Sequence, residues 1–523
     1  MAIMLKLKKG FIPFRNPDIL AVDSKLVVLE RVLTNLYMLL SHDGAPVNLA
    51  KLRREHTMES LIEYVNILED NNLLEGARNN PDAVEDWLRS SLVEMVNRGD
   101  AIKEKVSTLR PMHLMSFRVQ NRKTCARESA AAEQLFYMLK PSEEVYLGLK
   151  DYLRMGWDTG TNTLVSSEDI DVDTAGILQL TYKLKEIPQL NAKDVHEPLL
   201  KAQAELFCDD IRRLLVYRNK LPRTVFIEYL RILCGLHLAL YTMKVIYLLP
   251  KMVDAGSKEV EDDWSMVVDM TDRLDSRISR YACKDEERLS NNFRAYIRAT
   301  YMINIAQNSL KEDGQNNSVE HALHALKKGL NQAEFKVRLG MIRSDLPEKS
   351  EAEFDQRDLE ELIQYYDDDD FFGKFVHVLE VSNLGNSQFR YLRQFLDATM
   401  MKNSPSMLLA VGRSRKHPRR GVIGSKLLET MVQLLVLEPK KEGGFTSKSL
   451  SIEELVRKIR ERYSLIINGI GEARFNRADV EVNAAFAENM DAFKNRLRQI
   501  GFYTDLSDAC ILQKIRPRYK IED

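Results

Sequence analysis

Apolar residues recur at three- and four-residue spacing along most of this chain, a pattern that predicts helix nearly throughout. Leu26, Val27, Leu29, Val32, Leu33, Leu36 and Leu39 form one such stripe, ended by His42-Asp43-Gly44. Ala45-Pro46-Val47 then leads into a short helix, Asn48 to His56. Thr57 stands at an N-cap position, although Ser60 occupies the place where a capping box prefers Glu or Gln. Leu61, Tyr64, Val65, Leu68 and Leu73 line the helix that follows. Three helices and a polar stretch near Leu73 to Asn80 predict a winged-helix or helix-turn-helix unit within residues 1–80. Residues 81–407 predict a central helical bundle or array without a fixed repeat. A Gly/Thr/Ser/Asp-rich linker is expected at residues 158–173, with further breaks at 314–318, 344–351 and 403–424.

Residues 408–523 predict a basic loop and a second winged-helix-like domain. Leu427, Leu428, Met431, Leu434 and Leu435 give its first helix, and Ser451 caps a second whose first turn holds Glu453 and Glu454. Leu465 to Gly471 reads as a connector. Phe486, Met490, Phe493 and Leu497 mark a third helix that stops at Gly501. Phe502-Tyr503 and Ile511 to Tyr519 then predict two strands about a turn at 505–508. The fold class expected is mainly α, with winged-helix-like units at both ends.

The most apolar run, Thr224 to Pro250, raises a membrane question. Glu228, Arg231, His237 and Lys244 interrupt it, and a charge at bilayer depth costs at least ~2.5 kcal/mol. A buried core helix is the expectation. Composition agrees: 44% of the 523 residues are hydrophobic, enough for real cores. With 76 Lys+Arg against 77 Asp+Glu, a uniformly basic coat is excluded, so any polyanion contact must be a local patch. Five cysteines without a C-x-x-C, and no convincing signal peptide around Lys6, Lys8 and Lys9, fit a reducing cytoplasm.

The strongest local charge anomaly is Arg413, Arg415, Lys416, Arg419 and Arg420, set among Gly412, Pro418 and Gly421. Such a loop can neutralise phosphates, contact an acidic protein, or simply be solvated. Lys514, Arg516 and Arg518 alternate and so share one face of a predicted strand. That face suits a phosphate backbone, or guards an exposed strand edge. Lys494, Arg496 and Arg498 spread around their helix. In the N-terminal unit, Glu59, Glu63, Glu69 and Asp70 oppose base reading, which favours protein contact there. Two more basic clusters, Arg118 to Arg127 and Arg212 to Arg223, are either phosphate-binding or solvated faces. Asp269, Asp272 and Asp275 would share one side of a helix and could hold Mg²⁺; an ion-pair lattice with Arg273, Arg277 and Arg280 is the favoured reading. His321 and His324 lack a third ligand, and His237 reads as a satisfied core histidine. No phosphate loop, H-E-x-x-H or G-x-S-x-G is present. No cofactor or metal is expected.

The stretches FKNRLRQIGFYTDLSDACILQKIRPRY (Phe493 to Tyr519) and LPRTVFIEYLRILCGLHLALY (Leu221 to Tyr241) resemble large accessory proteins of bacterial multi-gene anti-phage loci. Methylation-associated defence systems come first and phosphorothioation-dependent restriction systems second. The resemblance implies a non-catalytic scaffold or DNA-contacting subunit beside a separate ATPase, nuclease or methyltransferase. Two alternatives stay open: a kleisin-like bridging protein for a chromosome-organising ATPase, and a metal-dependent nuclease using the Asp269–Asp275 face.

Overall fold

A computed structural model describes residues 4–8, 13–22, 27–45, 57–98, 101–106, 111–119, 128–158, 160–161, 163–165, 170–182, 195–271, 273, 275–400, 406–410, 419–476, 479–503 and 514–521. It is mainly helical, as the periodicity predicts. Helices α1 (Leu29–Ser41), α2 (Met58–Asp70) and α3 (Pro81–Leu92) precede an antiparallel hairpin of β1 (Val93–Arg98) and β2 (Ala101–Val106). Next come α4 (Ser129–Leu139), α5 (Glu143–Arg154), a short pair β3 (Trp157–Asp158) and β4 (Thr163–Leu164), and α6 (Val172–Tyr182). The middle of the chain holds α7 (Lys201–Val216), α8 (Arg223–Ala255), β5 (Met266–Val267), α9 (Arg277–Glu312), α10 (Val319–Lys328), α11 (Gln332–Ser344), α12 (Gln356–Ile363), α13 (Phe371–Val381) and α14 (Asn383–Met400). The last part holds β6 (Leu409–Ala410), β7 (Arg420–Gly421), α15 (Ser425–Leu435), β8 (Leu437–Pro439), β9 (Phe445–Ser447), β10 (Leu450–Ser451), α16 (Ile452–Tyr463), β11 (Leu465–Ile466), α17 (Val480–Gln499) and β12 (Lys514–Ile515).

Helix α8 is the axis of the body. It is apolar on all sides, which requires burial all round, and α1, α4, α7, α9, α10, α14 and α15 supply it. By length and composition it could cross a membrane, yet 89% of its apolar window is buried inside the fold. The four interruptions all find partners. Arg231 pairs with Glu30 and Glu228, and Glu228 also accepts from Lys426 at 3.0 Å. Lys244 meets Asp262 at 2.7 Å, and His237 meets Asp210 at 2.9 Å. Gly235 lets α8 approach its neighbours closely: an added Cβ would lie 2.2 Å from Ser406 Oγ and 2.9 Å from Leu29 Cδ1. Ser406 is held there, donating to Thr399 O at 2.6 Å. Gly235→Ala is therefore expected to destabilise the fold by about 1–3 kcal/mol, the cost of overpacking. An unchanged urea midpoint would contradict that.

Local signals read from sequence are in place. Thr57 caps α2 and exchanges hydrogen bonds with Ser60, so serine fills the usual Glu/Gln role. Ser451 and Glu454 form a capping box on α16. Gly501 leaves α17 at φ +79°.

Several elements and pairings expected inside the two terminal units need correction. Val32, Leu33 and Leu36 of α1 are fully buried in the main core, so α1 is no satellite of α2. The predicted helix Asn48 to His56 lies outside the described residues. Residues 71–79 turn without a strand, and the hairpin comes after α3. Leu61, Val65 and Leu68 of α2 instead share a small separate core with Leu88 and Leu92 of α3 and Ile177 and Leu180 of α6. At the C-terminus, β12 does not pair with Phe502-Tyr503. It pairs antiparallel with β10, Leu450 opposite Ile515 and Ser451 opposite Lys514. Burial of Ile515 beside Leu450 in the main core accounts for that choice. Residues 504–513 lie outside the described residues. The expected connector from Leu465 forms β11, parallel to β5. One apolar core thus runs from Leu5 to Ile515.

Candidate nucleic-acid interface

Strands β6 and β7 pair antiparallel, Leu409 with Gly421 and Ala410 with Arg420, and close the ends of the basic segment. Two of its predicted phosphate contacts lie inside the fold. Arg420, 5% exposed, donates from Nε to Asp269 Oδ2 at 2.8 Å. Arg419, 8% exposed, pairs with Glu286 at 2.7 Å and with Asp397 at 2.5 Å. Buried guanidinium groups need such partners, and these carboxylates take up both charges. Arg413, Arg415 and Lys416 lie outside the described residues.

The same pairs correct the Asp269–Asp275 reading. The described residues among 268–276 are not helical, and α9 starts only at Arg277, with Ser276 as its cap. Asp269 is buried against Arg420 and accepts from Thr271 N and Oγ1. Asp272 lies outside the described residues. The ion-pair lattice expected within this segment is also replaced: Arg273 and Arg280 reach Glu488 and Glu481 on α17. Among the described residues no three His, Cys, Asp or Glu side chains gather as a metal set.

In the tail, Lys514 and Arg516 are exposed on either side of buried Ile515, the alternation read from sequence. Among the described residues, neither has a carboxylate within ion-pair distance. Arg518 is occupied: it pairs with Glu429, donates to Ile500 O at 2.8 Å and lies over the Phe502 ring. The tail runs beside β9, where Ser447 N donates to Ile521 O at 3.1 Å and Ile521 N to Ser447 Oγ at 2.9 Å. Exposed Lys448 and Lys520 flank that contact. On α17, Lys494 meets Asp491, Arg496 meets Ser425, and Arg498 meets Asn495, around the helix as its two-residue steps imply.

Of the Arg212 to Arg223 cluster, Arg218 and Lys220 are exposed, while the other three arginines are held by the fold. Arg212 and Arg213 pair with Asp209, and Arg223 donates to Met112 O and Leu153 O. Beside them is a buried network that sequence reasoning missed. Asp210, with a wholly buried side chain, accepts from His237 Nε2 and Tyr463 OH, each at 2.9 Å, and from Arg462 Nε at 3.0 Å. Gln203 Nε2 contacts His237 Nδ1 at 3.1 Å, so His237 is a satisfied core histidine as expected. Arg462 lies 252 residues from Asp210, beyond any local signal.

Burial pushes the Asp210 carboxyl up, but the Arg462 charge and the hydrogen bond from His237 outweigh it and hold the group below its usual range. A depressed folded pKa contributes stability above the unfolded value of roughly 3.9 and loses it as pH falls through the folded pKa. Arg462→Met removes the countercharge and leaves burial to push the carboxyl up. The variant's deficit against wild type should therefore be largest at neutral pH and shrink as acid protonates Asp210. Urea midpoints at neutral pH and near pH 4 check this; a deficit independent of pH would contradict it.

Comparison with known proteins adds one match. The family model described as methylation-associated defense system protein MAD7 matches residues 11–519. No curated protein and no solved structure matches the chain.

Proposed function

Because the chain belongs to the family of methylation-associated defense system protein MAD7 over nearly its whole length, we propose that it serves such a system as a structural subunit that grips the DNA backbone. Membership makes it a component of a methylation-associated defense system; the DNA-gripping role is our reading. The observation that carries it is the β6–β7 closure. Arg419 and Arg420 anchor one end of the basic segment in the core, and Arg413, Arg415 and Lys416 fall between the anchored strands. Exposed Lys514 and Arg516 offer a second contact.

We read the C-terminal unit as winged-helix-like. The order α15, β8, β9, β10, α16, β11, α17, β12, with β10 paired to β12, supports this. So, at the other end, does the order α2, α3 and hairpin. Helix α17 is not the base reader in this account, since its Glu481 and Glu488 face Arg280 and Arg273. Contact is to phosphates, which carry no sequence information. Partner subunits of the system, such as an ATPase, nuclease or methyltransferase, supply the chemistry.

Fluorescence anisotropy with labelled duplexes tests this. Binding should fall steeply with salt and be equal for unrelated sequences, methylated or not. Absence of binding at low salt, or a preference for one sequence or methylation state, would overturn the reading.

A further inference from the structure

A cleft of about 470 Å³ lies where α7, α8, α15 and α16 meet, and its lining includes no residue of β6 or β7. Its lining brings together four cations, Arg213, Lys244, Lys458 and Arg462, and one carboxylate, Glu461. The cations come from three helices; only Arg213 stood in a local basic cluster, and no charge run showed that the four converge. Carboxylates and carbonyls hold each one in place. Lys244 bonds Asp262 at 2.7 Å, and Lys458 bonds Glu438 at 2.6 Å and Leu435 O at 3.1 Å. Arg213 donates from Nε to Asp209 at 2.8 Å and from Nη1 to Leu437 O at 2.7 Å. Arg462 uses Nε and Nη2 on Asp210 and Asp209.

These bonds leave donors over. An ammonium has three N–H groups and a guanidinium five. Among the described residues Lys244 has one acceptor, Lys458 has two, and Arg213 Nη2 and Arg462 Nη1 have none. Cations held by such bonds and lining one cleft, with donors to spare, suit an oxyanion. Several donors on separate helices suit a group with several terminal oxygens better than a carboxylate with two. The cleft also falls within the usual size range of small-ligand sites.

We propose that this cleft binds a phosphate monoester, presented either by a free nucleotide or by the 5′-phosphorylated end of a DNA strand. The bound dianion takes the spare donors of Lys244, Lys458, Arg213 and Arg462. Because Arg462 also holds Asp210, occupancy tightens the buried network and raises the unfolding temperature.

The test is isothermal titration calorimetry with inorganic phosphate and AMP, and with one oligonucleotide carrying either a 5′-phosphate or a 5′-hydroxyl. Saturable binding of AMP assigns a free nucleotide. Tighter binding of the 5′-phosphorylated than of the 5′-hydroxyl strand, without binding of AMP, assigns a DNA end. Lys458→Met and Lys244→Met keep the aliphatic stems and should each weaken binding about tenfold or more, the loss of a charge-assisted hydrogen bond. Lys458, with its side chain 24% exposed, remains decisive if Lys244→Met does not fold. Arg415→Glu should leave AMP binding unchanged, which separates this site from the proposed backbone grip. No saturable binding of any probe at millimolar concentration, or undiminished binding by folded Lys458→Met, would overturn the proposal.

Discussion

Asp210→Ala is expected to cost about 3–5 kcal/mol of stability, the penalty for removing one member of a buried charge cluster. Asp210 joins α7 to α8 through His237 and to α16 through Arg462 and Tyr463. Without it, the Arg462 guanidinium keeps only Asp209, and the Tyr463 hydroxyl and His237 Nε2 lose their acceptor in a fully buried setting. A buried donor without a partner carries its desolvation cost unrelieved. The readout is a large downward shift of the urea midpoint. Asp210→Asn keeps an acceptor oxygen for one neighbour and should fall between alanine and wild type. A midpoint within error of wild type for Asp210→Ala would show that the cluster is not structurally coupled.

Reversing Arg413, Arg415 and Lys416 together to glutamate is expected to abolish most DNA affinity and leave the fold intact. Each phosphate neutralised contributes about 0.9 to the slope of log affinity against log salt, so losing three contacts should flatten that slope by about 2.7. The stability expectation follows from what holds the segment. Its β7 end is fixed by Arg419 with Glu286 and Asp397 and by Arg420 with Asp269, none of which the variant touches. A folded variant that binds duplex as tightly as wild type, with the same slope, would remove the segment from the interface.

What the chain revealed in advance was whatever depends on near neighbours. The apolar run of α8 predicts a core helix because periodicity and charge interruptions are local. Ser451 and Gly501 mark helix ends because capping acts within one turn. The basic segment shows the limit of that reading. Arg415 and Arg420 are the same residue type in the same stretch, and only Asp269, 151 residues away, makes Arg420 structural. Asp269 was itself misassigned to a helix, since three aspartates at three-residue spacing fit a helical face equally well. Two-residue strands such as β5 and β11 are too short to show alternation. The partner of β12 was set by burial of Ile515 against Leu450, and the chain-adjacent Phe502-Tyr503 was the wrong choice for that reason. The four-cation cleft was invisible because its members converge only in three dimensions.

One basic stretch divides its labour: Arg419 and Arg420 hold the fold, while Arg413, Arg415 and Lys416 are proposed to hold DNA. The most direct measurement takes Arg420→Ala and Arg415→Glu side by side, following urea unfolding and the salt dependence of duplex affinity for each. The account predicts a large loss of stability for Arg420→Ala, and for Arg415→Glu a wild-type midpoint with a weaker, flatter salt response. Wild-type stability in Arg420→Ala together with unaltered DNA binding in Arg415→Glu would contradict it.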